Sequence, residues 1–209
     1  MRKTNRARKV TSSDIVTNIG IALIAVALTI IALTFWPIIL EEVRYTANRI
    51  TPAASHRNLT PVNEGFGIVI PKIGANAAIV PNVDPHDSNI YQVALTKGVA
   101  HAKGTAMPGQ PGNIFLFSHS SVNFYEAVRY NSIFYLLTKL EFGDEINLYY
   151  QGNKYSYKVT SKTIVPATSV QYLKGLGNGR QTVTLMTCWP PGTTYKRLLV
   201  IAERKGNEQ

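Results

Sequence analysis

Residues 182–188 read TVTLMTC, an apolar run that ends at the chain's single cysteine, Cys188. The run is short and rich in β-branched residues, which is typical of a strand. WPPG follows immediately at 189–192 and must end that strand, because proline fixes φ and cannot donate to a β-ladder. The pattern therefore predicts a strand whose last residue carries a thiol at the rim of a sheet.

Similar short runs, broken by Gly, Pro and Asn, extend on both sides of this strand through residues 65–205. Clean period-two alternation around a Gly152-Asn153 turn predicts a β-hairpin. A closed barrel would remove the exposed edges of such a sheet, so the domain is predicted to be mainly β. The predicted strands are 66–71, 77–82, 113–119, 145–151, 154–165, 182–188 and 197–203, with short helices at 87–98 and 131–140, the second capped by Ser132.

The N-terminal part of the chain is different in character. Residues 15–40 contain no charged side chain and are long enough, at about 1.5 Å per residue, to cross a hydrocarbon core of about 30 Å. A cleaved signal peptide is the alternative, but its apolar region usually has about 7–15 residues, which favours an uncleaved anchor. We expect a basic cytoplasmic tail (1–14), a transmembrane helix (15–40), a linker (41–64) and a globular domain outside the cytoplasm (65–205).

The formal charge of +10 does not indicate a nucleic-acid partner. Five of the basic residues lie in the tail, and the others are scattered without a run or a basic helix face. Before a membrane span, a basic tail is explained by the positive-inside rule, which leaves the N-terminus in the cytoplasm. No nucleic-acid binding is therefore predicted. The basic tail residues are Arg2, Lys3, Arg6, Arg8 and Lys9.

Cys188 has no cysteine partner in its own chain, although the domain is expected where disulfides form. Such a thiol is either a buried small apolar group or a reactive one. A free thiol has a pKa of about 8.5, so a nucleophile at this position needs a base or a cation nearby.

Two further residues at strand ends are candidates to assist the thiol. Arg197 begins the next strand and returns beside Cys188 across a short turn, whereas Lys196 points to the other face. His119 ends the run NIFLFSH and can act as acid or base near neutral pH. Taken alone, a solvated surface arginine and a hydrogen-bonded rim histidine are the more common interpretations of these two residues. His101 competes for the same role, and His56 and His86 have weaker claims.

Metal and phosphate sites are not indicated by the sequence. The four histidines are far apart, no HExxH or CxxC spacing occurs, and no glycine-rich phosphate loop is present. We therefore predict no cofactor and no metal.

Four segments together resemble the sortase family: TLMTC (184–188) with the downstream Arg197, GVAHAKGTAMPGQPGNIFLFSH (98–119), IVIPKIGANAAIVPNV (68–83) and LEFGDEINLYY (140–150). The resemblance implies a closed eight-stranded β-barrel with Cys188 as nucleophile, His119 as general acid and base, and Arg197 as stabiliser of the oxyanion. Thr187 and His101 are added as candidate substrate-binding residues.

The resemblance also implies the reaction. A sorting signal of the LPxTG type on a surface protein would be cut between its Thr and Gly and passed to an amine, from a peptidoglycan precursor or a pilin lysine. Specificity would be set by the segment between the sixth and seventh strands, about residues 166–180. Ser118 replaces the glycine of many relatives, and the short WPPGTTY loop is closer to compact-loop classes than to the calcium-stimulated housekeeping class.

Two alternatives remain beside this interpretation. One is a membrane-anchored surface binding module on the same barrel, in which Cys188 is an inert apolar side chain. The other is an L,D-type cysteine transpeptidase, but its nucleophile belongs to a compact SHGC-like motif, and here Ser118-His119 lies far from Cys188 in sequence.

Overall fold

The computed structural model describes residues 12–50, 59–120, 133–174 and 179–205. Helix α1, Ser12–Ile50, begins the described chain. Within it, Ile15–Leu33 has a mean hydropathy of 2.5 and none of it packs inside the structure. Of the described segments, this is the helix that is long and apolar enough to cross a membrane, as expected from residues 15–40.

Helix α1 continues ten residues past the predicted end of the span at residue 40, up to Ile50. The stretch EEVRYTANRI contains no glycine or proline, so nothing in it ends a helix that has already formed. The predicted linker at 41–64 therefore begins as helix rather than as irregular chain. Residues 51–58 lie outside the described part of the chain, and the domain boundaries stay a prediction.

Eight strands close into a barrel in the order β1-β2-β3-β4-β7-β8-β6-β5, which confirms the predicted fold class. The β2–β3 and β4–β7 pairs are parallel and the other pairs are antiparallel. The strands are β1 Phe66–Ile70, β2 Ala75–Val83, β3 Val99–Ala102, β4 Gly112–Phe117, β5 Glu145–Tyr150, β6 Asn153–Pro166, β7 Gln181–Trp189 and β8 Lys196–Arg204.

The local pattern missed β3, because its four residues VAHA are buried on both faces and show no alternation. The first predicted helix forms as α2, Ser88–Leu95, with the Asp87 side chain capping its N-terminus. The second forms as a 3-10 helix, and its predicted cap Ser132 lies outside the described residues. The 3-10 helices are η1 Pro71–Ile73, η2 Tyr135–Lys139 and η3 Val170–Lys174.

Apolar side chains form two clusters on opposite faces of the barrel wall. The interior core fills the barrel and includes Ile68, Leu148 and Leu185, each fully buried. The outer cluster lies on the outside of β2 and β3 and of the four strands β4, β7, β8 and β6, beneath α2 and η3. Its members on those four strands are Phe115, Phe117, Val165 and Leu199, with the half-buried Met186 packed against them.

At one end of the barrel β4, β6 and β7 finish and β8 begins, because Trp189 and Pro166 both pair with Lys196. We call this end of the barrel the upper end.

Two lysines bind η2 and the turn that follows it. Lys162 Nζ donates to the carbonyls of Thr138 and Leu140 at 2.8 and 2.7 Å. Lys72 Nζ, on η1, pairs with two carboxylates of the turn, those of Glu141 and Asp144. The barrel wall near the upper end is thus held by polar as well as apolar contacts.

The interior core predicts a large effect of truncation at Leu185. Leu185→Ala should lower the free energy of unfolding by about 2–5 kcal/mol, because a fully buried leucine leaves a cavity that the closed barrel cannot collapse to fill. Denaturant unfolding of the full chain in detergent measures the change. Val93→Ala, on the exposed face of α2 at 57% exposure, is the control and should change stability by less than about 0.5 kcal/mol.

Candidate active site

Cys188 is the penultimate residue of β7 and lies at the upper end of the barrel. Side chains alternate along the strand, so Cys188 shares the outer face with Thr184 and Met186, while Leu185 points into the interior core. The thiol is free and half-buried. It therefore lies on the outside of the wall, at the edge of the outer cluster.

Arg197 is the direct cross-strand partner of Cys188 in the β7–β8 pair. Directly opposed residues lie on the same face, with Cβ atoms about 4.5–5.5 Å apart. Arg197 Nη1 donates to the carbonyls of Thr194 and Lys196, both at 3.0 Å, which fixes the guanidinium against the turn between the strands. A guanidinium has five N–H donors, and these two contacts occupy only those of Nη1.

His119 follows the last residue of β4 by two positions. The parallel β4–β7 register pairs Phe117 with Met186, so continuing it by two residues brings His119 beside Cys188. Neighbouring strands are about 4.8 Å apart. By the same alternation His119 lies on the face that carries Phe117, and its side chain is half-buried.

The backbone N–H and C=O groups of Ser118, the residue before His119, are both hydrogen-bonded to β7. Ser118 N–H donates to the carbonyl of Met186 at 3.2 Å, and the Ser118 carbonyl accepts from Thr187 Oγ1 at 3.0 Å. Both Ser118 and Thr187 are buried, at 7% and 3% exposure, so water cannot easily replace these bonds. We call this pair of bonds the strand clamp. It fixes the backbone that carries His119 against the backbone that carries Cys188.

Three predicted residues thus meet at one place. Cys188, Arg197 and His119 come from three adjacent strand ends, project from the same face and lie at the upper end of the barrel. A thiol, an imidazole and a guanidinium at neighbouring strand ends are groups that acyl transfer can use. Thr187, predicted to bind substrate, directs its hydroxyl to Ser118 in the strand clamp.

His101 lies elsewhere, on β3, with 1% of its side chain exposed. Its Nδ1 accepts from Asn82 N–H at 3.3 Å, so the proton is on Nε2, which donates to the Ala106 carbonyl at 3.0 Å and lies 2.9 Å from Thr105 Oγ1. Burial lowers the pKa of His101, against a smaller opposing effect of the Ala106 bond. This geometry favours a structural role, and its predicted contact with substrate stays a prediction.

The structure brings neither of the other two histidines to this site within the part of the chain that it describes. His86 lies in an exposed turn, and His56 lies outside the described residues. Across the four described ranges, no three His, Cys, Asp or Glu side chains are grouped so as to hold a metal ion. The expectation that the protein needs no metal stays a prediction.

Sequence reasoning missed two buried polar groups that join distant segments of the barrel wall. Neither the strand clamp carbonyl of Ser118 nor the buried carboxamide of Asn113 was singled out, because each acts through a partner about 69 residues away. A signal was present for Asn113: it shares the alternation of Phe115, Phe117 and His119 and is the polar member of an apolar row.

The closed barrel and its rim thiol can now be compared with known proteins. A family model described as the sortase domain matches residues 68–205, and this chain belongs to the sortase family. It is similar to sortase D of Bacillus subtilis (strain 168), with 27% identity over 169 residues that cover 78% of this chain and 76% of that protein.

Two solved structures show the same similarity in three dimensions. Sortase A from Corynebacterium diphtheriae, as a lid mutant, is 26% identical with a TM-score of 0.58, and the match covers 73% of this chain and 74% of that one. Sortase C of Clostridium perfringens, solved with the C-terminal cell wall sorting motif, is 27% identical with a TM-score of 0.57, and the match covers 71% of this chain and 74% of that one.

The buried His101 predicts a loss of stability in acid. Because its folded pKa is lowered below the usual 6.5, the unfolded chain binds the proton more readily. The contribution of His101 is therefore constant above about pH 6.5 and is lost as the pH falls from there towards the folded pKa. Denaturant unfolding between pH 8 and pH 5 measures the slope.

His101→Gln should reduce this pH slope, whatever its effect on stability at neutral pH. His86→Gln, at the exposed turn, is the matched control and should leave the slope as in the wild type. An unchanged slope in His101→Gln would contradict the assignment of a neutral, buried imidazole.

Proposed function

We propose that this sortase is a cysteine transpeptidase in which Cys188 is the nucleophile, His119 the general acid and base, and Arg197 the oxyanion stabiliser. The observation that carries the proposal is the pairing of Cys188 with Arg197 across β7 and β8, with the β4–β7 register bringing His119 alongside. A half-exposed thiol at a strand end also argues against an inert core cysteine, and so against a purely binding role.

In the first half-reaction the Cys188 thiolate attacks the carbonyl carbon of the substrate threonine. Arg197 stabilises the negative charge that develops on the carbonyl oxygen, and the tetrahedral intermediate then expels the amine as its C–N bond breaks. His119, protonated, donates its proton to that leaving amine. The product is a thioester between Cys188 and the acyl fragment, with the downstream peptide released.

In the second half-reaction an amine attacks the thioester carbon. His119, now neutral, accepts the proton of the amine, and the thiolate of Cys188 leaves as the new amide bond forms. Covalent capture divides one difficult exchange into two easier steps. The strand clamp supports both halves, because it holds the His119 backbone at a constant distance from β7 while the imidazole changes protonation state.

The substrate we propose is an LPxTG-like sorting signal on a surface protein or pilin, and the acceptor is an amine of a peptidoglycan precursor or a pilin lysine. Family membership supports this, as does the similarity to the sortase C solved with a cell wall sorting motif. Helix α1 would anchor the protein in the membrane with its basic tail in the cytoplasm and residues 65–205 outside.

Replacing the nucleophile tests the proposal directly. Cys188→Ala should form no thioester with an LPxTG-type peptide, because no other cysteine is present in the chain. Mass spectrometry of the intact protein should show the wild type heavier by the acyl fragment and the variant unchanged. Turnover of the peptide by Cys188→Ala would end the assignment.

Two variants distinguish the role of the Arg197 guanidinium at this site from the effect of any positive charge nearby. Arg197→Gln should lower the rate of acylation by about 10²–10³-fold, the usual cost of losing an oxyanion donor. Lys196→Gln removes an adjacent, exposed positive charge that points to the other face and should change the rate by less than about threefold. Acylation reactions quenched at set times measure the rate for both variants. Equal losses of acylation rate in the two variants would favour a general electrostatic effect instead.

A further inference from the structure

Asn113 is a polar side chain in an apolar setting. It lies on the outer face of β4, in the row of Phe115 and Phe117, and only 5% of it is exposed. Burial of a carboxamide is unfavourable unless its hydrogen bonds are made. Its Oδ1 accepts from Thr182 Oγ1 and Thr184 Oγ1, both at 2.9 Å, across the parallel β4–β7 pair.

These two bonds set the orientation of the carboxamide. With Oδ1 held by two threonine hydroxyls, the Nδ2 group points away from β7, and it donates to the carbonyl of Tyr172 at 3.1 Å. Tyr172 belongs to η3, whose Tyr172 and Leu173 side chains pack on the outer cluster. Asn113 therefore joins the wall of the barrel to the segment between β6 and β7.

The side chains on the outer face of β7 are, in order, Thr182, Thr184, Met186 and Cys188. They change along the strand from polar to apolar and end at the thiol. Thr182 lies six positions before Cys188, a distance of about 20 Å at 3.3 Å per residue. Asn113 is thus too far from the thiol to touch the reacting atoms. Between them Phe115 and Phe117 are buried, and the accessible end of the row consists of the half-buried Met186 and Cys188.

We propose that Asn113 is a positioning residue for substrate selection: by holding η3 on the outer cluster, which also includes Met186, it fixes the wall beside the accessible end of the row where the proposed reaction places the sorting signal. The proposal rests on the proposed transpeptidase function for its effect on peptides. The contact itself, between Nδ2 and the Tyr172 carbonyl, can be tested without any substrate.

The test variant is Asn113→Asp. One carboxylate oxygen can still accept from Thr182 and Thr184, and these two donated bonds favour the ionised form of the carboxyl group. The other carboxylate oxygen replaces the Nδ2 donor and repels the Tyr172 carbonyl. At pH 8, amide hydrogen exchange in residues 166–173 should become about five- to tenfold faster, as expected when one hydrogen bond is replaced by a repulsion.

With a set of peptides that differ away from the scissile bond, Asn113→Asp should raise KM about fivefold for the preferred peptide and reduce discrimination among the set. The value of kcat and the rate of alkylation of Cys188 by iodoacetamide should stay within about twofold of the wild type, because the reacting groups are unchanged.

Asn147→Asp is the matched control. Asn147 is equally buried, at 4% exposure, lies on β5 and accepts from Ser156 Oγ at 2.8 Å, with no contact to η3. Its replacement should affect stability without changing exchange in residues 166–173 or peptide selection. If Asn113→Asp does not fold, Thr182→Val removes one of the bonds that orient the carboxamide and should give a smaller change in the same two measurements.

Unchanged exchange in residues 166–173, or a change matched by Asn147→Asp, would overturn the positioning role. Faster exchange with unchanged peptide selection would overturn it too, because η3 would then be free to move without consequence. Failure of the wild type to process any peptide would instead refute the proposed transpeptidase, and the exchange measurement would still report on the contact.

Discussion

The parallel pairing of β4 with β7 is the constraint on which the rest of the site depends. Parallel neighbours point the same way, so their last residues finish side by side, and His119 comes next to Cys188 without a bend in either strand. An antiparallel pair would have separated the two by the length of the barrel. The strand clamp extends this pairing beyond the last ladder bond, where the Ser118 carbonyl would otherwise need another partner.

Much of the fold could be predicted from residues alone, and the parts that could not share a physical reason. Alternation in β5 and β6, the abrupt end of β7 before Pro190 and the apolar helix α1 are all local patterns. Strand β3 was not predictable, because four residues buried on both faces have no period. The strand ends near His119 and Cys188 were predicted to within two residues, but their adjacency depends on a parallel register between distant segments, which no local pattern contains.

The outer wall of the barrel carries different kinds of side chain at successive positions along β4 and β7. At the lower part of β4 and β7, buried polar groups hold η3; higher up, the buried Phe117 and the half-buried Met186 pack in the outer cluster; at the top, Cys188 lies opposite Arg197. Positioning and chemistry are thus separated by about six residues on one rigid strand. If η3 selects the peptide as proposed, changes in η3 would alter recognition while Cys188 and Arg197 keep their geometry.

The separation of Ser118 and Thr187 by 69 residues in sequence also bears on the rate at which the barrel folds. Joining them requires a crossover that contains η2 and the whole β5–β6 hairpin, so this contact closes a long loop and belongs among the slow, non-local steps of folding. Until this crossover closes, the cysteine lacks the histidine beside it, although the local β7–β8 hairpin can already place Arg197 opposite it. If Cys188 is the nucleophile proposed above, a partly folded chain would therefore carry a thiol without its acid–base partner.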